Sequence, residues 1–217
     1  MKLPLIVVGA GGHAVVVADA LLAAGERVLG FTDANASLHG RTLCGLPVLG
    51  DDHALDAHTP QTLALANGIG GVGSARGEPL RRRVQQHLAA RGWQFVAVRH
   101  PSAVVSPFAR IGAASQLLAA SVVQPGAEIG EGTIVNTAAV IEHDVDLGAW
   151  VHVAPRALVC GSVKIGAHSH IGAGAVVRQG LRLGVDTVVG AGAVVVNDFV
   201  GGGLLVGVPA RLVEREA

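Results

Sequence analysis

The chain has 217 residues, enough for one large domain or two small ones around a buried core. Sixteen Lys and Arg balance sixteen Asp and Glu, which leaves no basic field for nucleic acid or anionic lipid, and a composition 50% hydrophobic and only 15% charged excludes disorder. With 31 glycines, four Phe, two Trp and no Tyr, the core has to come from Val, Ile, Leu and Ala, which suits a regular stacked architecture.

Met1–Ala24 opens on an apolar run, but Gly9–His13 interrupts it and Asp19 follows, so it reads as neither a signal peptide nor a spanning helix. Leu5–Gly9 reads instead as a short strand, followed by Gly9-Ala10-Gly11-Gly12-His13-Ala14 and a helix to about Ala24. A second strand over Arg27–Phe31 ends at Thr32-Asp33. This strand, glycine turn, helix and strand, with an acid about 20 residues past the glycines, approaches the dinucleotide fingerprint. Further strands are expected at Leu46–Leu49, Thr62–Ala66 and Phe95–Val98, with a helix over about Glu78–Arg91. A hundred residues suffice for half of a doubly wound α/β domain, one that grips a single nucleotide. The turn offers backbone N–H groups and a helix N-terminus to a phosphate, and Asp33 a carboxylate to a ribose or base. The plainer alternative is that the glycines only permit a tight turn and Asp33 only ends a strand. Arg81-Arg82-Arg83 reads as a solvated helix face, since three adjacent residues cannot share one side of a helix.

From Val105 the period changes. Every sixth residue through Val195 is Ile, Leu or Val, sixteen positions without a break, a run that chance yields on the order of once in ten million. Two residues before most of them stands a small or β-branched residue such as Ser121, Ala127 or Thr133, with Leu181 the exception, and seven are followed by Gly. A six-residue unit is one short strand plus a corner, and three units close a triangular coil whose aliphatic residues stack on their equivalents one coil away. About five coils, Val105 to Asp198, make a parallel β-helix prism, with the glycines expected to lend the corners backbone freedom. Val188–Ala210 is apolar, but its glycines and short period argue against a membrane span. Cys44 and Cys160 make no disulfide framework and point to a reducing cytoplasm.

Four stretches carry a resemblance: Val7–His13 (VVGAGGH), His100–Pro107 (HPSAVVSP), Asn136–His143 (NTAAVIEH) and Gly207–Ala210 (GVPA). Together with the hexapeptide repeat they resemble the sugar acetyltransferases of the NeuD/PglD type. The resemblance implies an α/β Rossmann-like half-domain over 1–100 that holds a nucleotide sugar, then a left-handed parallel β-helix over 101–217. It also implies a cytoplasmic homotrimer using acetyl-CoA, with no resident metal, no nucleic-acid partner and no membrane insertion. Residue by residue it implies His143 as base with Asp144 orienting it. Gly11, Gly12, His13, Asp33, Asn136 and Glu142 would serve the sugar nucleotide. His152, Gly161, Ala173 and Ala191 would line the coenzyme, with the Gly207–Ala210 turn closing over its far end. His143 suits the chemistry independently, because a neutral imidazole titrates near working pH. His152, nine residues on, lies half a coil away, so the two histidines meet only across an interface between prisms.

N-acetylation of an amino sugar is the expected reaction, with O-acetylation of a sugar such as sialic acid needing the same base and fold. Rival classes are a non-catalytic nucleotide-sugar-binding module, a dinucleotide-dependent enzyme built on Gly9–Asp33, and a zinc site using the close pair His168 and His170, for which no third histidine stands at a suitable spacing.

Overall fold

The computed structural model describes residues 2–71 and 80–213. The chain forms two compact units that divide between Pro101 and Ser102.

In the first unit, Leu5–Val8 (β1) is buried along its whole length, as a four-residue apolar strand covered on both faces must be. The glycine turn leads into Gly12–Ala23 (α1), whose Ala14, Val17, Ala18 and Leu21 are buried. Val28–Thr32 (β2) follows, then a hairpin of Thr42–Leu43 (β3) and Leu46–Gly50 (β4) turning at Cys44-Gly45, and then Ala64–Asn67 (β5). The sheet order is β3-β4-β2-β1-β5, parallel except at the hairpin. Apart from the hairpin, the chain winds outward from β1 in both directions, which places a topological switch at its C-terminal end. Ile6, Val8, Leu55, Leu63, Leu65, Leu88 and Trp93 fill one side of the sheet.

The expected strand over Thr62–Ala66 begins two residues late, because Thr59 and Thr62 make a local turn in which the Leu63 N–H bonds the Thr59 carbonyl. Phe95–Val98 shrinks to a bridge between Phe95 and Leu65 and a short strand at Val98–Arg99. The expected helix from Glu78 starts outside the described residues, and its described part is Leu80–Ala90 (α2). Arg81 corrects the reading of a solvated arginine run. It is only 6% exposed, and burial pulls its pKa down to about 10. The Asn67 side-chain amide, itself buried, donates to the Arg81 carbonyl at 3.0 Å and to Gln85 at 3.0 Å, tying this turn of α2 to the end of β5.

The second unit is a left-handed parallel β-helix of two-residue strands. One face stacks Val104–Val105, Val122–Val123, Val140–Ile141, Leu158–Val159, Val176–Val177 and Val194–Val195 in register, each 18 residues from the next. A second stacks Arg110–Ile111, Glu128–Ile129, Asp146–Leu147, Lys164–Ile165 and Arg182–Leu183. A third stacks Gln116–Leu117, Ile134–Val135, His152–Val153, His170–Ile171 and Val188–Val189. The second residue of each pair points inward; from Leu117 onward, stacked with the small residues two positions earlier, these make a continuous dry core. Ser115 and Thr133, two of the hydroxylic small residues, each donate at 3.0 Å to the carbonyl of Gly130 and Gly148 respectively, whereas the buried Ser121 hydroxyl has no partner among the described residues. After Asp198 the spacing falls to 16 residues, Val188 pairing with Leu204, and the repeat ends.

The glycines that follow the aliphatic residues do not serve the purpose expected of them. Their φ angles are outside the left-handed region; what they supply is room between coils. A Cβ on Gly130 would stand 2.5 Å from the Ala149 nitrogen, and one on Gly172 2.6 Å from the Ala191 nitrogen, both main-chain atoms that cannot yield. The left-handed residue comes at the second corner position. At every sixth residue from Ala114 to Gly192, φ lies between 54° and 76°, and most of these residues are not glycine. No helix among the described residues is long and apolar enough to cross a membrane.

Candidate active site

His143 and Asp144 occupy the corner between the first and second faces, directly after the strand Val140–Ile141. Asp144 is one of the left-handed residues, with φ 60°, a conformation that Asp tolerates better than most residues. The His143 Nδ1 and the Asp144 Oδ2 are 2.9 Å apart. An ionised carboxylate only accepts, so the hydrogen sits on Nδ1 and the lone pair on Nε2. The Asp144 carboxylate therefore reaches the ring. Both side chains are exposed, 62% and 67%, so their pair is solvated and sets orientation more than it stores energy.

The same corner recurs above and below this pair. Pro125-Gly126 lies one coil before and Gly161-Ser162 one coil after, joined to it by the Asp144 N–H to the Pro125 carbonyl at 3.1 Å and the Ser162 N–H to the His143 carbonyl at 2.9 Å. Glu142 stacks in the same way beneath Cys160. Partial burial, and next the charge of Glu142, push the Cys160 thiol pKa up. Both cysteines are free.

The remaining expected residues divide between places. His152, on the third face, accepts at Nε2 from the Asn136 side-chain amide N–H at 3.1 Å and meets the buried His170 edge-on, ring centroids 4.9 Å apart. Asn136 therefore belongs with His152 and not, within one chain, with His143 and Glu142. Ala173 and Ala191 stack 18 residues apart at the corner between the third and first faces, with the Gly192 N–H bonding the Ala173 carbonyl at 2.8 Å. Gly161 belongs to the other corner, beside His143. The residues expected to line the coenzyme thus fall at two corners of one prism, as a groove between two prisms allows. Among the described residues no group of three His, Cys, Asp or Glu side chains could hold a metal ion.

In the first unit, Gly11, Gly12, His13 and Asp33 line one cavity of about 430 Å³ at the C-terminal end of β1. Gly11 caps α1 without a side-chain hydrogen bond, and no acid stands in its first turn, so the positive end of the helix faces the cavity. Asp33 is more engaged than a ligand-only residue would be: its Oδ2 accepts from the Ala10 N–H at 2.7 Å and its Oδ1 from the Asn35 N–H at 2.8 Å. It ties the glycine turn to the end of β2. Sequence reasoning missed the other side of this cavity, formed by Asp52 and by Gly68-Ile69-Gly70. A Cβ on Gly70 would stand 2.8 Å from the His13 Cβ, and one on Gly68 2.7 Å from that of Ala14, so both residues let β5 approach the turn. The signal was present as Asn67-Gly68-Ile69-Gly70-Gly71, a glycine cluster straight after an apolar strand.

A parallel β-helix with a histidine–carboxylate pair on one corner, preceded by a nucleotide-type α/β unit, defines the class of hexapeptide-repeat acyltransferases. The family model described as PglD N-terminal domain matches residues 4–88. The chain is 37% identical to the acetyltransferase domain of PglB from Neisseria gonorrhoeae, with 98% of this chain and 100% of that one covered and a TM-score of 0.88. It is 38% identical to a variant of perosamine N-acetyltransferase from Caulobacter crescentus in complex with CoA and GDP-perosamine, covering 98% and 97% at TM-score 0.88. WeeI from Acinetobacter baumannii is 26% identical over 98% and 100%, with a TM-score of 0.79. A comparison with curated protein sequences finds no match. The chain belongs to the NeuD/PglD-type family of acetyl-CoA-dependent sugar acetyltransferases.

Proposed function

We propose that this acetyltransferase N-acetylates an amino sugar linked to a nucleotide, as a homotrimer, with His143 as general base. The observation that carries this reading is the His143–Asp144 pair, whose Nδ1 contact leaves Nε2 as the proton acceptor. The amine attacks the carbonyl carbon of the acetyl thioester. Its C–N bond forms as the carbonyl becomes an oxyanion, Nε2 takes the ammonium proton, and collapse breaks the C–S bond. The leaving thiolate recovers a proton from the imidazolium, so amide and free CoA are the products and the histidine is regenerated. Asp144 holds the ring and stabilises its cationic form.

The α/β unit would hold the nucleotide, its phosphates at the Gly11-Gly12 turn and its ribose or base near Asp33, with His13 toward the sugar. The complex of the Caulobacter relative with CoA and GDP-perosamine supports both ligands. Asn136 and Glu142 remain sugar-side residues, and His152, Ala173 and Ala191 coenzyme-side residues, on condition that two copies meet. The faces support an assembly of several copies. The outward residues of the first face are an aliphatic stripe of Val104, Val122, Val140, Leu158, Val176 and Val194, whereas those of the second are Arg110, Glu128, Asp146, Lys164 and Arg182. An apolar face asks to be covered and a charged one to stay wet. In the proposed trimer the His143 corner of one copy would lie beside His152 of another, which would make the divided site whole.

The test is thiol release from acetyl-CoA in the presence of GDP-, UDP- or dTDP-linked 4-amino sugars, or free sialic acid. Release with a nucleotide-linked amino sugar alone is expected. Release with free sialic acid alone would replace N-transfer by O-transfer.

A further inference from the structure

The two atoms that matter most at the corner, His143 Nε2 and the Asp144 carboxylate, lie where neighbouring coils have no side chain. An ideal Cβ built on Gly161, one coil after His143, would fall 2.5 Å from Nε2, 2.7 Å from Cε1 and 3.1 Å from Cδ2. One built on Gly126, one coil before Asp144, would fall against Oδ1. The backbone asks for glycine at only one of these positions, since φ is +76° at Gly126 but outside the left-handed region at Gly161. At residue 161 a Cβ is excluded by the imidazole alone. The imidazole cannot retreat freely either: a swing away from residue 161 about χ1 or χ2 moves Nδ1 off the Asp144 Oδ2, from which it is 2.9 Å.

We propose that Gly161 and Gly126 are positioning residues for the His143–Asp144 pair, together forming a slot across three successive coils that fixes where Nε2 and the carboxylate lie. The proposal rests on His143 being the base, and it adds what keeps that base in place. It also assigns Gly161 a role toward the histidine that a coenzyme contact does not require. The slot explains how two exposed side chains, on a corner open to water, can hold one geometry: van der Waals walls on either side restrict the rotamers that solvent would otherwise release.

A double-mutant cycle tests this. Gly161→Ala should lower kcat by about 10- to 100-fold, the cost of a misplacement near 1 Å. The KM for acetyl-CoA should change less than about threefold. In the His143→Ala background the same substitution should leave the residual rate within about twofold, and should recover the loss of Tm it causes alone, because the clash has gone. An equal loss of rate in both backgrounds, with KM for acetyl-CoA raised, would overturn the proposal in favour of a coenzyme contact. A kcat within about twofold of wild type for Gly161→Ala would overturn it outright. If His143→Ala itself turns over normally, the failure belongs to the base assignment. Gly126→Ala provides a second measurement, with Gly180→Ala as its control. Gly180 occupies the same corner with φ +73° and nothing within 4 Å, so its substitution carries the backbone strain alone. Both should lose a similar amount of Tm. Only Gly126→Ala should lower kcat, with the KM for acetyl-CoA changed less than about threefold, since a displaced carboxylate no longer orients the ring. An equal kcat for the two variants would sink the Gly126 half of the proposal.

Discussion

Replacing His143 by Ala removes the one group at the first-to-second-face corner able to accept a proton at neutral pH. Its neighbours offer no substitute. Asp144 is held at the far ring nitrogen, and the Cys160 thiol is kept protonated by partial burial and by Glu142. Loss of general-base assistance should therefore appear in full, about 10² to 10⁴ in kcat, with little change in the KM for acetyl-CoA. The side chain is 62% exposed, so the substitution empties no core volume and Tm should stay within about 2 °C. Asp144→Asn should cost far less, about 3- to 10-fold. A carboxamide oxygen still accepts from Nδ1, and the lost charge is two-thirds exposed and screened by water. The pH dependence carries further information. An amine substrate is increasingly neutral as pH rises and needs the base less, so the deficit of His143→Ala should shrink toward alkaline pH. A hydroxyl substrate, with a much higher pKa, should show no such recovery. The assay is thiol release at saturating acetyl-CoA with the nucleotide-linked amino sugar. Turnover within about threefold of wild type across pH 6 to 9 would refute the assignment of His143 as base.

Gly130→Ala should destabilise the β-helix by about 3 kcal/mol or more, because its Cβ meets main chain on the next coil; Gly192→Ala, with φ +67° and open space around it, should cost only about 1 kcal/mol. Urea unfolding of the two variants checks the order, and equal losses would mean that backbone strain and not coil spacing selects these glycines. Asp33→Ala should weaken nucleotide binding in calorimetry and also lower the stability of the α/β unit by about 1–3 kcal/mol, since two backbone N–H groups lose their acceptor; unchanged stability with weakened binding would return Asp33 to a purely ligand-facing role. Iodoacetamide at pH 7.5 should modify Cys44 well before Cys160, and Glu142→Gln should speed reaction at Cys160, because removing the negative charge lowers a raised thiol pKa; no change on Glu142→Gln would show that burial alone sets it. Sedimentation at micromolar concentration should give a single species of three chains, and Val140→Asp on the aliphatic stripe should dissociate it with loss of activity; an active monomer would end the shared-site reading.

The fold was legible because its period is short and its core uses one residue class. Sixteen aliphatic positions six apart fix which residues point inward and, with three faces, which stack 18 apart, as Val122 on Val140 and His152 on His170 do. What the period conceals is the purpose of each glycine. Gly130, Gly161 and Gly192 look alike as letters, yet a coil backbone excludes a side chain at the first and an imidazole at the second, while the third holds a left-handed φ in open space. Those distinctions depend on what lies one coil away, and are visible only when residues i and i+18 are placed side by side. The divided site has the same origin. Asn136, Glu142 and His143 are adjacent in the sequence, but six residues are a third of a turn, so the prism gives Asn136 to His152 and leaves Glu142 and His143 at the next corner. Arg81 failed for the opposite reason. It is buried on a turn whose carbonyl bonds the side chain of Asn67, a contact between α2 and β5 that no local charge pattern records. In this chain, periodicity specifies which elements stack, and single polar contacts between stacked elements decide what each element presents. On the proposed assignment, a base on an exposed corner depends on the second kind of information: the repeat supplies a column of corners, and glycine at two of them would hold a surface histidine at a fixed position.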